Sequence, residues 1–217
     1  LKALCEEEVH RIFGDRSLII RPGLIVGPDD VSDRFTYWPM RFDRGGEALV
    51  PDSSDQPVQI IDVRDLATWM VRMAEGRRSG VFNATGPEQP YRLAWLLESI
   101  HREMGSKCQL VPVSSAFLER EQVGPWMELP LYLGNDRNAW GMMCAKVSRA
   151  VSEGLCFRQV SDTVLDTVQW AKSRAQDHAW RAGLSQSRES ELLERWRSHP
   201  GREPVQDAGR GPDPRDP

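Results

Sequence analysis

The stretch Leu18–Pro28, with the sequence LIIRPGLIVGP, decides the fold class of this chain. Two apolar triplets flank the tripeptide RPG, and residues 27–30 follow with the turn sequence GPDD. The preceding run, Leu1–Phe13, carries apolar residues at three- and four-residue spacing, which indicates an amphipathic helix. A helix followed at once by a near-continuous apolar strand is typical of a parallel sheet covered on both faces. The stretch therefore predicts a doubly wound α/β fold.

A second strand and helix pattern begins at Gln59. The sequence predicts a strand that ends at Asp62, which caps a helix with Asp65 three positions further on. The predicted apolar face of this helix consists of Leu66, Trp69, Met70, Met73 and Ala74. Gly80–Ala84 then predicts a further short strand, and Arg92–Met104 a further amphipathic helix.

Four segments of the chain resemble one known family in their order and spacing. They are LKALCE at residues 1–6, RPGLIVGP at 21–28, QIIDVRDLA at 59–67 and GVFNATG at 80–86. The family is the extended short-chain dehydrogenases/reductases of the NAD-dependent epimerase/dehydratase type. The resemblance implies an α/β fold, namely the C-terminal part of a Rossmann-type doubly wound sheet plus a smaller mixed α/β, mostly helical substrate lobe.

The resemblance also implies a division of the chain into domains. Residues 1–86 would form the last part of the Rossmann-type domain, with a substrate-lobe insertion at about residues 29–58. Residues 87–200 would form the substrate lobe and the C-terminal helices. Residues 201–217 are mostly Gly, Pro, Asp and Arg, so we expect a disordered tail that buries too little apolar surface to fold.

Lys2 is the candidate catalytic residue. In the family a Tyr lies four residues before a Lys on one helix, so that both side chains reach the same cofactor edge. The resemblance implies that the Tyr is the acid/base at a carbinol or carbonyl, while the Lys lowers its pKa and holds the nicotinamide ribose. Lys2 matches this Lys, and the Tyr would lie three residues before Leu1. Alone, Lys2 would be interpreted as an ordinary exposed helix lysine; the other collinear motifs favour the catalytic interpretation.

The cofactor implied by the resemblance is NAD or NADP, and the sequence does not decide between them. Lys2, Pro22 and Gly23 are the candidate cofactor-binding residues. A dinucleotide site of this type needs a Gly-rich turn between a strand and a helix, and no such motif occurs between Leu1 and Pro217. The other glycines of the region have the pattern of turn glycines. We therefore expect a partial enzyme that is inactive as this fragment.

Candidate substrate contacts lie between Asp29 and Asp55. Arg34, Tyr37, Trp38 and Arg41 have helical spacing, so that one face could offer two guanidinium groups and two aromatic rings to an anionic or sugar-like ligand. The alternative is a lobe-packing helix whose arginines reach solvent, and the pattern supports both equally.

Gln59 falls where many family members carry an Arg or Gln that touches the nucleotide-sugar side of the pocket. As a strand residue beside the Asp62 cap, it is more simply explained as structural. The aromatic-rich segment Pro125–Tyr132 could cover the cleft as a lid, although core packing explains Trp126, Tyr132 and Trp140 better than ligand contacts do.

Composition excludes several classes of function. The net charge of −4 and the absence of a basic stripe argue against nucleic acid as a partner. No apolar run approaches the ~18 residues of a membrane span, and no signal peptide is evident. The four cysteines and four histidines are scattered without metal-ligand spacing, so we expect no metal and a reducing, cytoplasmic location.

Two functional hypotheses follow. The first is an NAD(P)-dependent epimerase, dehydratase or reductase, acting on a sugar-like or other small polar molecule, of which this chain is a part. The second is a non-catalytic ligand- or partner-binding remnant of that fold, with residues 29–55 and 125–140 as its binding lobe. A homodimer through the helix that contains Lys2 is a further expectation. The predicted strands at residues 17–26 and 80–84 would also present open edges.

Overall fold

The computed structural model of the protein describes residues 1–52, 55–105, 107–175 and 177–199. The tail predicted at residues 201–217 lies outside the described residues. The α-helices of the described part are α1 Lys2–Phe13, α2 Tyr37–Asp43, α3 Val63–Glu75, α4 Leu93–Met104, α5 Ser115–Arg120, α6 Ser148–Ser152, α7 Val160–Ser173 and α8 Gln186–Arg197. The strands are β1 Leu18–Pro22, β2 Leu24–Val26, β3 Glu47–Pro51, β4 Pro57–Val58, β5 Ile60–Asp62, β6 Gly80–Ala84, β7 Tyr91–Arg92 and β8 Gln109–Val113.

Strand pairing in the described residues is mainly parallel. β1 pairs with β6 from Leu18 opposite Gly80, and β2 pairs with β5 from Leu24 opposite Ile60. Strand β3 pairs in parallel with β8, whereas β4 and β7 form an antiparallel pair. The α/β class and the parallel pairing predicted from the apolar strands are therefore confirmed.

Two hydrophobic clusters hold these elements together. The smaller cluster packs α3 against β5 and β6 through Ile61, Trp69 and Phe82. The larger one combines the region around α2 and β3 with α4, α5, α7 and α8, and these elements together are called the lobe below. The segment predicted as a lobe insertion, residues 29–58, contributes Phe35, Trp38 and other apolar residues to this larger cluster.

Helix α3 begins where the sequence predicts it. The Asp62 side chain accepts a hydrogen bond from the Arg64 backbone N–H at 2.9 Å, which satisfies a free donor of the first turn. Leu66, Trp69 and Met73 are buried as predicted. Met70 and Ala74 are exposed, so the apolar face is narrower than predicted, because the small strand pairs cover only one stripe of the helix.

Helix α1 differs from the other long helices because none of its residues is buried. One ion pair connects it to β1, in which Arg21 Nε donates to Glu6 Oε1 at 2.9 Å. Its apolar residues Leu4, Ile12 and Phe13 are exposed. Within the described residues, no helix is both long and apolar enough to cross a membrane.

Candidate functional site

The candidate site lies where β2 and β5 end side by side. Val26 stands opposite Asp62 in the parallel register, so the two strands deliver their following residues to one edge. Gly27, with φ of +110°, occupies a backbone conformation that favours glycine, and a Cβ there would lie 3.3 Å from Asp62 Oδ2. Ligands of open α/β sheets bind outside the carboxyl ends of the strands. The loop from Gly27 to Arg34 is therefore the natural place for a ligand.

The Asp30 carboxylate fixes the middle of this loop. It accepts hydrogen bonds from the Ser32 N–H at 3.0 Å and the Ser32 hydroxyl at 2.6 Å, and its second oxygen accepts from the Thr36 hydroxyl at 3.0 Å. Such side-chain contacts replace the backbone bonds that a loop lacks. The loop is thus closed onto the start of α2.

Asp33 anchors the end of the loop in a buried polar cluster. Its fully buried carboxylate pairs with Arg174 Nη1 at 2.6 Å and contacts His178 Nε2 at 3.0 Å. The Arg181 N–H donates to the same carboxylate at 2.9 Å. Burial by itself raises the pKa of Asp33, but these hydrogen bonds outweigh it and hold the pKa below its ordinary value. Both oxygens of the carboxylate therefore have partners within the protein.

Arg174 packs against two aromatic rings. Its Cζ lies 4.7 Å from the Trp170 ring centroid and 4.9 Å from that of Trp180. Two indole rings and the Asp33 carboxylate stabilise this cation, although its buried Nε has no hydrogen-bond partner among the described residues. The Asp33 cluster thereby joins the loop to α7 and to the segment before α8.

Arg34, the next residue along the chain, has a different environment. Its Cζ lies 5.1 Å from the Trp126 ring centroid, and its Nη2 approaches Met127 Sδ at 3.6 Å. Its Nε is buried and has no hydrogen-bond partner among the described residues. Helix α2 begins only at Tyr37, so Arg34 precedes the helix and does not share one helical face with the other predicted ligand residues.

The structure places Tyr37, Trp38 and Arg41 inside the lobe. Trp38 is fully buried, and its indole N–H donates to the Pro130 carbonyl at 2.9 Å. Burial raises the pKa of Tyr37 far above its ordinary value. Arg41 pairs with the buried Glu189, with 2.6 Å between Nε and Oε2, and also donates to the Gly45 carbonyl at 2.9 Å. Their contacts are those of packing and ion pairing.

Gln59, between β4 and β5, connects to two other segments of the chain through its amide. Its Nε2 donates to the Pro87 carbonyl at 2.9 Å and to the Ala145 carbonyl at 3.2 Å. Its Oε1 accepts from the Ala145 N–H at 2.8 Å. With both amide atoms engaged and the residue buried, these contacts match the structural alternative.

Of the predicted cofactor residues, Pro22 and Gly23 lie at the exposed end of β1 and Lys2 lies on α1. Lys2 is exposed on the first turn of α1, four residues before Glu6, which contacts Arg21. Pro22 stands opposite Ala84, and the Gly23 N–H donates to the Ala84 carbonyl at 3.3 Å. A Cβ on Gly23 would lie 2.3 Å from Thr85 Oγ1, so glycine is required here by the neighbouring strand end.

Sequence reasoning did not identify two polar clusters near this edge. One is the Asp33 cluster, whose partners lie more than a hundred residues away along the chain, with sequence separations of 141 and 145. The other surrounds Asp62, which accepts from the Thr163 hydroxyl at 2.8 Å and lies 3.5 Å from Arg158 Nε. The signal for Asp62 was its position as a helix cap, whereas no local pattern identifies the distant partners.

The chain gives no match to protein-family models, and no curated protein matches it in sequence. Solved structures do share its fold. RMD from Pseudomonas aeruginosa complexed with NADPH has a TM-score of 0.53 at 14% identity, over 76% of this chain and 51% of that chain. UDP-glucose 4-epimerase from Thermus thermophilus, in complex with NAD, has a TM-score of 0.53 at 12% identity, over 80% of this chain and 52% of that chain.

A third similar structure contains a sugar nucleotide. UDP-glucuronic acid 4-epimerase from Bacillus cereus, in complex with UDP-glucuronic acid and NAD, has a TM-score of 0.50 at 14% identity, over 79% of this chain and 49% of that chain. The chain thus spans about half the length of each of these structures. The resemblance to nicotinamide-dependent epimerases, stated above from four sequence motifs, is confirmed at the level of the fold.

Proposed function

We propose that this chain is the substrate-side part of an NAD(P)-dependent oxidoreductase or epimerase of the extended short-chain dehydrogenase type. Its substrate would be a sugar-like or other small polar molecule. The observation that carries this proposal is the fold, shared over about half the length of structures that hold NAD or NADPH. The loop at the carboxyl ends of β2 and β5 supplies the polar and aromatic groups that such a substrate needs.

The residues present fit one side of a nicotinamide nucleotide. Lys2 offers an exposed ammonium on the first turn of α1 that can donate to ribose hydroxyls, and Pro22 and Gly23 are also exposed. The sequence contains no Gly-rich turn for the pyrophosphate. When bound, the nucleotide accepts or supplies a hydride. This chain would contribute the lysine that holds the ribose and the loop that orients the substrate.

Within that loop we assign the substrate contact to Arg34. Arg41 is engaged by Glu189, and Gln59 is engaged by Pro87 and Ala145. Tyr37 and Trp38 are buried beneath the loop. In this proposal these four residues support the wall of the binding site, and Arg34 presents a charge at its surface.

The proposal is tested by comparing this chain with the product of its extended reading frame. We expect the extended frame to encode a Tyr three residues before Leu1 and a Gly-rich strand-to-helix turn further upstream. That longer protein should bind NADH or NADPH in a fluorescence titration, and Lys2→Ala should weaken the binding. The 217-residue chain should show no micromolar binding, because it lacks a pyrophosphate loop.

Two results would contradict the proposal. Micromolar binding of NADH or NADPH by the 217-residue chain would show that the missing loop is not needed. An upstream frame without the Tyr and the Gly-rich turn would instead favour the non-catalytic binding remnant. Lys107→Ala is the matched control in both proteins, because Lys107 is an exposed lysine of the lobe.

A further inference from the structure

Arg34 differs from every other arginine that the described part of the chain withdraws from solvent. Six described arginines are buried or half-buried: Arg34, Arg41, Arg64, Arg158, Arg174 and Arg188. The last five each have a carboxylate within 4.0 Å. Arg34 has none in the described ranges. A partly desolvated charge without a counter-charge is unfavourable, so an anion bound beside Arg34 would be stabilised by it.

The contacts of Arg34 leave its polar edge free. Trp126 packs against one face of the guanidinium, with 5.1 Å between Cζ and the ring centroid. The only acceptor near its N–H groups among the described residues is the Met127 thioether, at 3.6 Å from Nη2. Sulfur of this kind is a weak acceptor, and the buried Nε has no acceptor at all. A planar guanidinium fork with open donors matches the two oxygens of a carboxylate or a phosphate.

The Trp126 platform is held in place by backbone contacts. The Trp126 N–H donates to the Tyr132 carbonyl at 2.8 Å, and the Gly183 N–H donates to the Met127 carbonyl at 2.7 Å. Trp126 has φ of +66°, a conformation that a non-glycine residue adopts only when its surroundings impose it. The stacked pair is therefore pre-organised, which reduces the ordering that binding would require.

The neighbouring carboxylates do not compete for Arg34. Asp30 is engaged by Ser32 and Thr36, and Asp33 by Arg174 and His178. Glu128 accepts from the Gly124 N–H at 2.7 Å and lies 3.7 Å from Arg188 Nε. Each nearby buried or half-buried acid thus has its own donors, and an incoming anion would be the first full counter-charge for Arg34.

We propose that Arg34, stacked on Trp126, anchors an oxoanion site that binds the carboxylate or phosphate of a small molecule. In taking this molecule as the substrate, the proposal rests on the proposed function and gives that substrate an acidic group. The anion binds in the plane of the guanidinium, and the indole covers one face of the pair. The site belongs to the loop that follows β2, at the edge where the candidate site lies.

The molecule contains a matched control for this pair. Arg137 stacks on Trp140 with 4.8 Å between Cζ and the ring centroid, but it also pairs with Asp55 at 3.0 Å. The two arginines therefore share the aromatic contact and differ in the counter-charge. Arg137→Gln should leave anion binding unchanged if the unpaired charge of Arg34 is what attracts the ligand.

The experiment is isothermal titration of the 217-residue chain at constant ionic strength, without nicotinamide nucleotide. The probes are glucose 1-phosphate, glucuronate and uncharged glucose, which separate a phosphate source from a carboxylate source. We expect at least one acidic sugar to bind and glucose not to bind. Arg34→Gln should weaken that binding by about tenfold, the loss of one charge-assisted contact. Arg34→Lys, which keeps the charge but loses the planar fork, should also bind more weakly than the parent.

Thermal unfolding of each variant checks that the fold is intact, and Arg34→Gln removes no ion pair of the described residues. The proposal is overturned if neither acidic sugar binds, if Arg34→Gln binds as tightly as the parent, or if Arg137→Gln loses as much affinity. Binding that persists while the longer protein has no redox activity would contradict the proposed function and leave the oxoanion site standing. Redox activity of the longer protein without anion binding would contradict the oxoanion site and leave the proposed function standing.

Discussion

Helices α1 and α4 have the same length and similar patterns but opposite surroundings. Each has 12 residues with apolar side chains at helical spacing. Helix α4 buries Leu93, Leu96 and Ile100 in the lobe, whereas α1 buries nothing and leaves Leu4 63% exposed. Apolar periodicity therefore shows that a helix has a face to cover. Only the tertiary structure shows whether the described part of the chain covers it.

The ion pairs of the lobe are also buried, whereas the ion pair between α1 and β1 is exposed to solvent. In the lobe, the side chains of Arg41 and Glu189 are 4% and 3% exposed. Between α1 and β1, those of Arg21 and Glu6 are 53% and 24% exposed. An ion pair in water contributes little, while removing one partner of a buried pair leaves a charge without compensation. The lobe should thus respond strongly to substitutions that α1 tolerates.

Loss of the buried carboxylate should have the largest effect. Glu189 serves Arg41, Arg44 and the Leu49 N–H at once. Glu189→Gln should lower the free energy of unfolding by about 3 kcal/mol, because Arg41 keeps its charge inside the lobe. Urea unfolding followed by tryptophan fluorescence measures the change. Glu6→Gln is the control and should give a much smaller loss, because its ion pair with Arg21 is exposed to solvent; an equal loss in both variants would remove the distinction between the two regions.

The next largest effect should be a difference in stability loss when an apolar residue of α4 or of α1 is truncated to alanine. Leu96→Ala should cost about 3 kcal/mol, since Leu96 is fully buried and the lobe cannot close the cavity completely. Leu4→Ala should change the free energy of unfolding by less than about 0.5 kcal/mol, as expected for an exposed site. Both changes in the free energy of unfolding are obtained from the midpoints of urea unfolding curves with the same m-value. A large loss for Leu4→Ala would mean that α1 is covered in solution, as the predicted homodimer requires.

Much of the fold follows from local patterns in the sequence. The apolar triplets around Arg21 predict parallel strands, and the Asp62 cap predicts the start of α3, because both depend on neighbours along the chain. The start of α2 is less predictable. The spacing from Arg34 to Arg41 suggests one helix, but the Asp30 carboxylate holds residues 32–36 in a loop, so the helix begins at Tyr37.

The candidate site is predictable only in part. The sequence indicates the loop that follows β2, because ligands bind at the carboxyl ends of parallel strands. It does not separate Arg34 from Arg41, since both are arginines in the same polar-aromatic segment. Their difference depends on Glu189, which lies 148 residues beyond Arg41 and is placed beside it by α8. Long-range ion pairs of this kind leave no local signal, and the assignment of Lys2 as the catalytic lysine stays a prediction.

The smallest expected effect concerns how stability depends on pH. The pKa values of Asp33 and Glu6 both lie below their ordinary values, Asp33 within its buried cluster and Glu6 through its hydrogen bond to Arg21. A carboxylate with a lowered folded-state pKa binds fewer protons in the folded than in the unfolded chain. Its contribution is therefore complete above the unfolded pKa near 4 and is lost as the pH falls through the folded pKa.

Salt should distinguish the two carboxylates. Asp33→Asn should flatten the fall in stability between about pH 5 and pH 2 by at most ~1.4 kcal/mol per pH unit, the value for one proton. The flattening should persist at 1 M salt, because the Asp33 cluster is buried and is screened weakly. Glu6→Gln should give a smaller flattening that salt removes, because its ion pair with Arg21 is exposed to solvent. Unfolding curves over this pH range, at low and high salt, measure both. If 1 M salt also removed the contribution of Asp33, the Asp33–Arg174 pair would have to be open to water. The ion pairs of the lobe would then be no better shielded than the Glu6–Arg21 pair of α1.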